Sequence, residues 1–135
     1  MGYYKNQIPQ TLIQQNTLTA SYDDNNASTS AGGFNVITVY IEYTPTEDNS
    51  SMLVQVEAGI DDSNLYPKIS LIDEDISGTS TGKSHILEIP SSGAGVMVKK
   101  RFLVEIADLK MRVSLKESVS ATFGTGKINI LKNEQ

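Results

Sequence analysis

The sequence predicts an all-β protein, an antiparallel β-sandwich of jelly-roll type with about eight strands and an extended N-terminal arm. Apolar and polar residues alternate in short runs from Asn35 to Leu131, and no stretch has the period of an amphipathic helix. Gly, Pro, Asn, Asp and Ser separate these runs, which is typical of turns. The length of 135 residues suits one hydrophobic core. We therefore expect a polar arm over residues 1–33 and a sandwich domain over residues 34–135.

The first 33 residues are rich in Gln, Asn, Ser and Thr and have few apolar positions. A short first strand is expected near Thr17–Tyr22, followed by a loop. An arm of this kind becomes ordered when it lies on a neighbour. Its aromatic and aliphatic residues are the predicted interface with a partner: Tyr3, Tyr4, Leu12 and Ile13.

The strongest strand pattern is Asn35–Tyr43, where β-branched and aromatic residues alternate with polar ones. Met52–Gly59 has the same alternation, and an antiparallel hairpin with Tyr43 opposite Met52 would keep both apolar sets on one face. Leu65–Ile72 is predicted as an edge strand because Pro67 stands near its start. A short strand over Ile86–Ile89 is expected to end at Pro90.

The C-terminal third predicts a second hairpin, with strands on either side of a turn at Ala107–Lys110. Placing Ile106 opposite Met111 puts Phe102 opposite Leu115 and the outward Glu105 opposite Arg112. Lys127–Leu131 is the last predicted strand. An immunoglobulin-like sandwich is the alternative architecture, although its Cys and Trp landmarks are missing.

The inventory of reactive residues is small. The chain has no Cys, which excludes disulfides, thiolate nucleophiles and Cys-ligated metal sites. Its only histidine, His85, stands at a loop border, where a lone histidine is typically a surface residue. We therefore expect no catalytic residue and no cofactor, and hence a protein that is not an enzyme.

Two acidic clusters offer hard oxygen ligands of the kind that calcium prefers. Their candidate calcium ligands are Asp61, Asp62, Asp73 and Asp75. Tyr40 and Tyr66 are the tyrosines expected to face outward, and Tyr66 would contact sugar. The sequence thus leaves open a calcium-dependent carbohydrate-binding or adhesive module as the alternative function.

Charge is distributed unevenly along the chain. Residues 1–95 carry three Lys/Arg against twelve Asp/Glu, whereas residues 96–135 carry eight against four. Opposite charges on two parts of a domain can orient subunits head to tail. One predicted basic face comprises Lys99, Arg101, Arg112 and Lys116. That face is small and the net charge is −5, so no nucleic-acid partner is expected.

No stretch has the length and apolarity of a membrane span, and the first ten residues lack the layout of a signal peptide. We therefore expect no membrane partner and synthesis in the cytoplasm.

Several segments in order resemble a known class of proteins. They are VITVYIEYT at 36–44, VEAGID at 56–61, NLYP at 64–67, KRF at 100–102 and RVSLKE at 112–117. This order resembles small β-sandwich virion proteins of tailed bacteriophages, which include capsid decoration proteins and head or tail fibre modules. The resemblance implies a non-enzymatic structural role in the virion. It also implies a homo-oligomer, often a trimer, that binds the major capsid protein or other virion proteins and stabilises the capsid surface.

Overall fold

The computed structural model describes residues 6–22, 28–34, 36–67, 72–73, 86–118 and 121–134. These residues form ten strands and no helix, so no helix among them could cross a membrane. The strands are β1 (Asn6–Thr17), β2 (Thr29–Ser30), β3 (Val36–Thr44), β4 (Ser51–Gly59), β5 (Leu65–Pro67), β6 (Ile72–Asp73), β7 (Ile86–Pro90), β8 (Val98–Glu105), β9 (Lys110–Ser118) and β10 (Thr125–Glu134).

The strands form two antiparallel sheets that enclose one core. Sheet A has the order β1-β10-β3-β8-β6, and sheet B has the order β2-β9-β4-β5. Strand β7 also pairs with β4, beyond the part of β4 that pairs with β5. The predicted all-β sandwich is confirmed.

Alternation along each strand determines which residues are buried. In β3 the inward residues are Ile37, Val39, Ile41 and Tyr43, and all four are buried. In β4 they are Met52, Val54, Val56 and Ala58, which are buried opposite them. The sorting of apolar side chains onto one face was therefore predicted correctly for the two strongest strands.

Both predicted hairpins are wrong. Strands β3 and β4 lie in different sheets, as do β8 and β9. Tyr43 has Gly126 and Val98 as its cross-strand neighbours instead of Met52, and Arg112 lies opposite Glu57 instead of Glu105. Two consecutive strands that face each other across a core bury the same residues as a hairpin would. The apolar pattern therefore cannot distinguish the two arrangements.

The predicted strand over Thr17–Tyr22 is also misplaced. Residues 6–17 form β1, which pairs with β10 along nearly its whole length at one edge of sheet A. Leu18 then enters the core, and its amide donates to the carbonyl of Gly124 at 2.8 Å. Much of the predicted arm therefore belongs to the sandwich, because an edge strand pairs about half of its backbone groups with its one neighbour and can leave the others to water. The division at residue 33 stays a prediction.

The predicted strand Leu65–Ile72 is divided between the two sheets. β5 ends at Pro67 and pairs with β4 in sheet B, whereas β6 begins at Ile72 and pairs with β8 in sheet A. Pro67 lacks the amide needed to continue a ladder, in keeping with its position at a sheet edge. The predicted strand over Ile86–Ile89 is confirmed as β7.

A polar network closes one end of the sandwich. Glu117 of β9 is 2 % exposed and accepts hydrogen bonds from the Tyr43 hydroxyl and, at 2.7 Å, from the Gly124 amide. The Ser50 hydroxyl lies 2.7 Å from the Tyr43 hydroxyl. Burial, followed by the hydrogen bond to Glu117, raises the pKa of Tyr43. These contacts join β3 and β9 to the connections that leave them.

Glu47 lies outside this buried network and links the neighbouring connections by hydrogen bonds. Its carboxylate accepts from the amides of Ala121 and Thr122 at 2.9 and 2.6 Å. Its carbonyl accepts from the Ser91 hydroxyl at 2.9 Å. Three connections, β3–β4, β7–β8 and β9–β10, are thus fixed to one another at this end.

Replacing Tyr43 with Phe should lower the free energy of unfolding by about 1–3 kcal/mol, because the buried Glu117 carboxylate loses a donor. The ordinary pKa of tyrosine is 10.0. Above that pH the unfolded wild-type chain releases the Tyr43 proton, whereas the folded state retains it. The contribution of Tyr43 to the free energy of unfolding is therefore fully present below that pH. It is lost as the pH rises through the pKa of Tyr43 in the folded state. Urea titrations at pH 8, 10 and 11 should show a smaller alkaline loss in the variant. An alkaline loss equal to that of the wild type would contradict this assignment, and Tyr66→Phe, at a 64 % exposed position, is the control.

Replacing Gly59 with Ala should destabilise the β4–β5 hairpin. A Cβ at residue 59 would lie 1.7 Å from the carbonyl oxygen of Asn64, so the backbone of the turn would have to move. We expect a loss of about 1–3 kcal/mol in chemical denaturation. Gly32→Ala is the matched control, because its Cβ would meet only the movable end of the Leu109 side chain at 3.1 Å. Equal losses in the two variants would refute this explanation.

Candidate functional site

The outer face of sheet A carries a row of different polar groups that crosses four strands. Tyr40 of β3 lies directly opposite Arg101 of β8 on one side and Asn129 of β10 on the other. Asn129 in turn lies opposite Thr11 of β1. Directly opposed residues share a face of an antiparallel sheet. A guanidinium, a phenol, an amide and a hydroxyl therefore stand in line across β8, β3, β10 and β1.

Two depressions flank this row and share Tyr40 and Asn129. One has a volume of about 400 Å³ and extends toward β8, where Lys99 and Arg101 line it. The other has a volume of about 390 Å³ and extends toward β1, where Pro9, Gln10 and Thr11 line it. Together they form a shallow groove with Tyr40, 37 % exposed, at its centre. We call this surface the Tyr40 groove.

Hydrogen bonds and charges fix the sides of the groove. The Thr11 hydroxyl donates to the Asn129 side-chain oxygen at 2.8 Å, which orients the Asn129 amide. In the adjacent row Glu42 lies opposite both Lys99 and Lys127, and its carboxylate is 3.7 Å from the Lys127 ammonium. Lys99 and Arg101 are exposed at the β8 side. The groove therefore combines apolar surface with a row of polar groups, and it is net positive at one end.

The inner face of the sandwich has a buried cation at the end opposite the Glu117 network. Lys132 is 7 % exposed, and its ammonium donates to the Thr29 hydroxyl at 2.9 Å. That hydroxyl donates to the Gln10 side-chain oxygen at 2.9 Å. Burial, with a smaller contribution from Lys110, lowers the pKa of Lys132. This chain of contacts joins β10, β2 and β1. It explains why polar residues occupy the positions of Lys132, Thr29 and Gln10.

The first acidic cluster lies in the turn between β4 and β5. The Asp61 carboxylate accepts from the Ser63 amide at 2.9 Å and from the Asn64 side-chain amide at 2.8 Å. These hydrogen bonds lower the pKa of Asp61. The Asp62 carboxylate accepts from the Ser28 hydroxyl. Asp61 thus serves the turn itself, which is a common use of Asp at such positions, whereas Asp62 links the turn to Ser28, just before β2.

The other candidate calcium ligands are only partly within the described structure. The backbone of Asp73 lies in β6, in the other sheet, and Asp75 lies outside the described residues. Among the described residues no group of three acidic or histidine side chains could hold a metal ion. The calcium ligand set stays a prediction.

The predicted basic face does not form. Lys99 and Arg101 belong to β8 on the outer face of sheet A, whereas Arg112 and Lys116 belong to β9 in sheet B. Arg112 forms an ion pair of 2.8 Å with Glu57, and the Lys116 ammonium lies 4.7 Å from the Tyr22 ring centre. The prediction failed because it depended on the second hairpin, which is absent.

The predicted interface residues are only partly described. Tyr3 and Tyr4 lie outside the described residues, and Leu12 and Ile13 contribute their backbones to β1. The role of these four residues at an interface stays a prediction. Tyr66 of β5 is 64 % exposed, and Tyr40 is the tyrosine that the fold places in a groove.

Comparisons with known proteins support the fold. No family model and no curated protein matches the sequence. The chain is similar in structure to the SPBc2 prophage-derived protein YomS, with a TM-score of 0.57 and 14 % identity over 96 % of this chain and 94 % of that one. A structure of disulfide-linked pili, the Bacillus endospore appendages, gives a TM-score of 0.43 and 11 % identity over 99 % and 93 %. A carbohydrate binding module from Cellvibrio mixtus lichenase 5A gives 0.35 and 11 % over 94 % and 98 %. The similarity to YomS shows a shared fold over nearly the whole length of both chains.

Proposed function

We propose that this protein is a non-enzymatic structural component of a phage virion, an oligomeric decoration protein that binds and stabilises the capsid surface. The observation that carries the proposal is the fold shared with a prophage-derived protein over 96 % of the chain. The segments quoted above, which resemble phage virion proteins, point the same way. A tail or fibre position in the virion is the alternative location.

The strand order supports a jelly-roll as the form of the sandwich. Sheet A contains β1-β10-β3-β8 and sheet B contains β2-β9-β4-β5. Along the chain, successive strands alternate between the sheets except at the β4–β5 hairpin, where both strands lie in sheet B. This is the order that results when a long antiparallel ribbon folds over into two sheets. It also accounts for both failed hairpins, because β3–β4 and β8–β9 are crossings between the sheets.

The use of polar groups supports a structural role. Glu117 and Tyr43 are buried and bonded to each other, so neither can reach a substrate. The segment at 78–82 matches the pattern G-x-S-x-G and lies outside the described residues. In hydrolases that pattern acts on a turn from a strand into a helix of an α/β fold. The all-β fold offers no such context, and we propose that the protein is not an enzyme.

Exposed apolar side chains at one end of the sandwich support a contact with another protein. Ile60 is 68 % exposed and Leu109 is 57 % exposed. The two lie side by side, because the Leu109 amide donates to the carbonyl of Gly59 at 3.1 Å. Apolar side chains exposed as a group mark interaction surfaces. We propose that this end contacts the neighbouring subunit of a homo-oligomer, for which a trimer is our expectation, or the major capsid protein.

The second candidate function is a carbohydrate-binding or adhesive module. The observation that favours it is the Tyr40 groove, in which an exposed ring is flanked by an amide and a hydroxyl. A calcium-dependent form would use Oδ2 of Asp61, because both hydrogen bonds that hold its own turn are accepted by Oδ1.

The virion proposal predicts a stable oligomer whose assembly depends on the apolar end. Light scattering should give a multiple of the 14.7 kDa chain mass, and the protein should co-sediment with particles of its phage that lack it. Leu109→Asp should weaken assembly or particle binding at least about tenfold, because a carboxylate would have to be buried without a partner. Val96→Asp is the matched control, because Val96 is 50 % exposed in the β7–β8 connection at the opposite end. A protein that stays monomeric and does not bind particles would refute the proposal.

A further inference from the structure

We propose that the Tyr40 groove binds an acidic oligosaccharide, a chain of sugar rings with about one carboxylate per ring. The inference goes beyond the virion role. It gives a ligand class to the second candidate function, and it rests on the geometry of sheet A alone.

The groove has the shape of a site for a chain rather than for a single small molecule. Its row of side chains crosses four neighbouring strands, which stand about 4.8 Å apart. The row is therefore about 14 Å long from the β8 backbone to the β1 backbone. The two depressions lie on opposite sides of this row and share Tyr40 and Asn129, so that they run diagonally across it. An extended ligand lying across the strands would contact all four groups.

The chemistry of the row suits a sugar. Sugar rings have apolar faces and hydroxyl edges, and a flat phenol ring offers area for such a face at small conformational cost. Tyr40, 37 % exposed, can supply that area. Asn129, directly opposite Tyr40, is oriented by its hydrogen bond of 2.8 Å from Thr11, and both side chains offer polar groups beside the ring. Ligand sites commonly combine an aromatic surface with a few oriented polar groups.

The positive charges at the β8 end of the groove favour acidic sugars over neutral sugars. Arg101 lies directly opposite Tyr40, and Lys99 lies one row away on the same face of β8. A carboxylate on a ring stacked over Tyr40 would come close to the guanidinium, whose geometry favours paired hydrogen bonds to a carboxylate. Opposite charge at the β8 end would therefore favour a uronic acid over a neutral sugar.

The same surface disfavours more densely charged polymers. Glu42 lines the groove, and its carboxylate remains within 3.7 Å of the Lys127 ammonium. A chain with two or three charges per ring would place negative charge against Glu42 as well as against Arg101. Sulfated glycans are therefore poorer fits than a chain with one carboxylate per ring.

The test is calorimetric titration of the full chain with hexagalacturonate, with cellohexaose as the neutral probe and a heparin hexasaccharide as the sulfated probe. We expect binding of hexagalacturonate in the micromolar to millimolar range, and weaker binding of both other probes. Tyr40→Ala should weaken binding about tenfold through the loss of stacking. Arg101→Gln should weaken it several-fold in 50 mM salt and less in 500 mM salt, because screening already removes part of the attraction.

The control variant is Tyr66→Ala, which removes an exposed tyrosine outside the groove and should leave binding unchanged. Thermal melting of each variant checks that it is folded, and Arg101→Gln serves if Tyr40→Ala does not fold. The proposal is overturned by no binding of hexagalacturonate, by equal or tighter binding of either comparison probe, or by binding that survives both groove substitutions. None of these outcomes bears on assembly with particles, so this proposal and the virion proposal can fail separately.

Discussion

The buried carboxylate of Glu117 is the constraint on which one whole end of the molecule depends. A carboxylate that is 2 % exposed is costly unless its oxygens are bonded. Its two oxygens accept from Tyr43 and from the Gly124 amide, and so they set the distance between β3 in sheet A and β9 in sheet B. Packing of apolar side chains alone would allow the sheets to slide, whereas these bonds have one geometry.

The two ends of the sandwich consequently differ in character. At the Glu117 end, side chains such as Glu47 bond to the backbone of neighbouring connections and hold them together. At the other end, Lys132 closes the core with a hydroxyl partner, and the apolar side chains of Ile60 and Leu109 stay exposed. The first end serves the stability of the fold. The second end and the outer face of sheet A are the surfaces for which we propose contacts with other molecules.

The sequence predicted which face of each strand is buried much better than it predicted which strands pair with each other. Alternation assigned the inward residues of β3 and β4 correctly, because burial depends on a period of two within each strand. It could not show that β3 and β4 belong to different sheets, since a hairpin and a crossing bury the same side chains. Alternation along β9 places Glu117 on the same inward face as Met111, Val113 and Leu115. Its partners explain how a charge can occupy that position, and alternation along β9 shows neither of them: Tyr43 lies 74 residues away, and Gly124 lies in the connection after β9.

The Tyr40 groove shows the same limit at a functional surface. Tyr40 was predicted to face outward, but its neighbours in the row come from positions 11, 101 and 129, on strands that are adjacent only after β10 inserts between β1 and β3. A local pattern has no access to that order. None of the four side chains packs into the core, so folding alone does not require this combination of a ring, an amide, a hydroxyl and a guanidinium. The row follows from the strand order, and the ligand that we propose would contact all four groups of it at once.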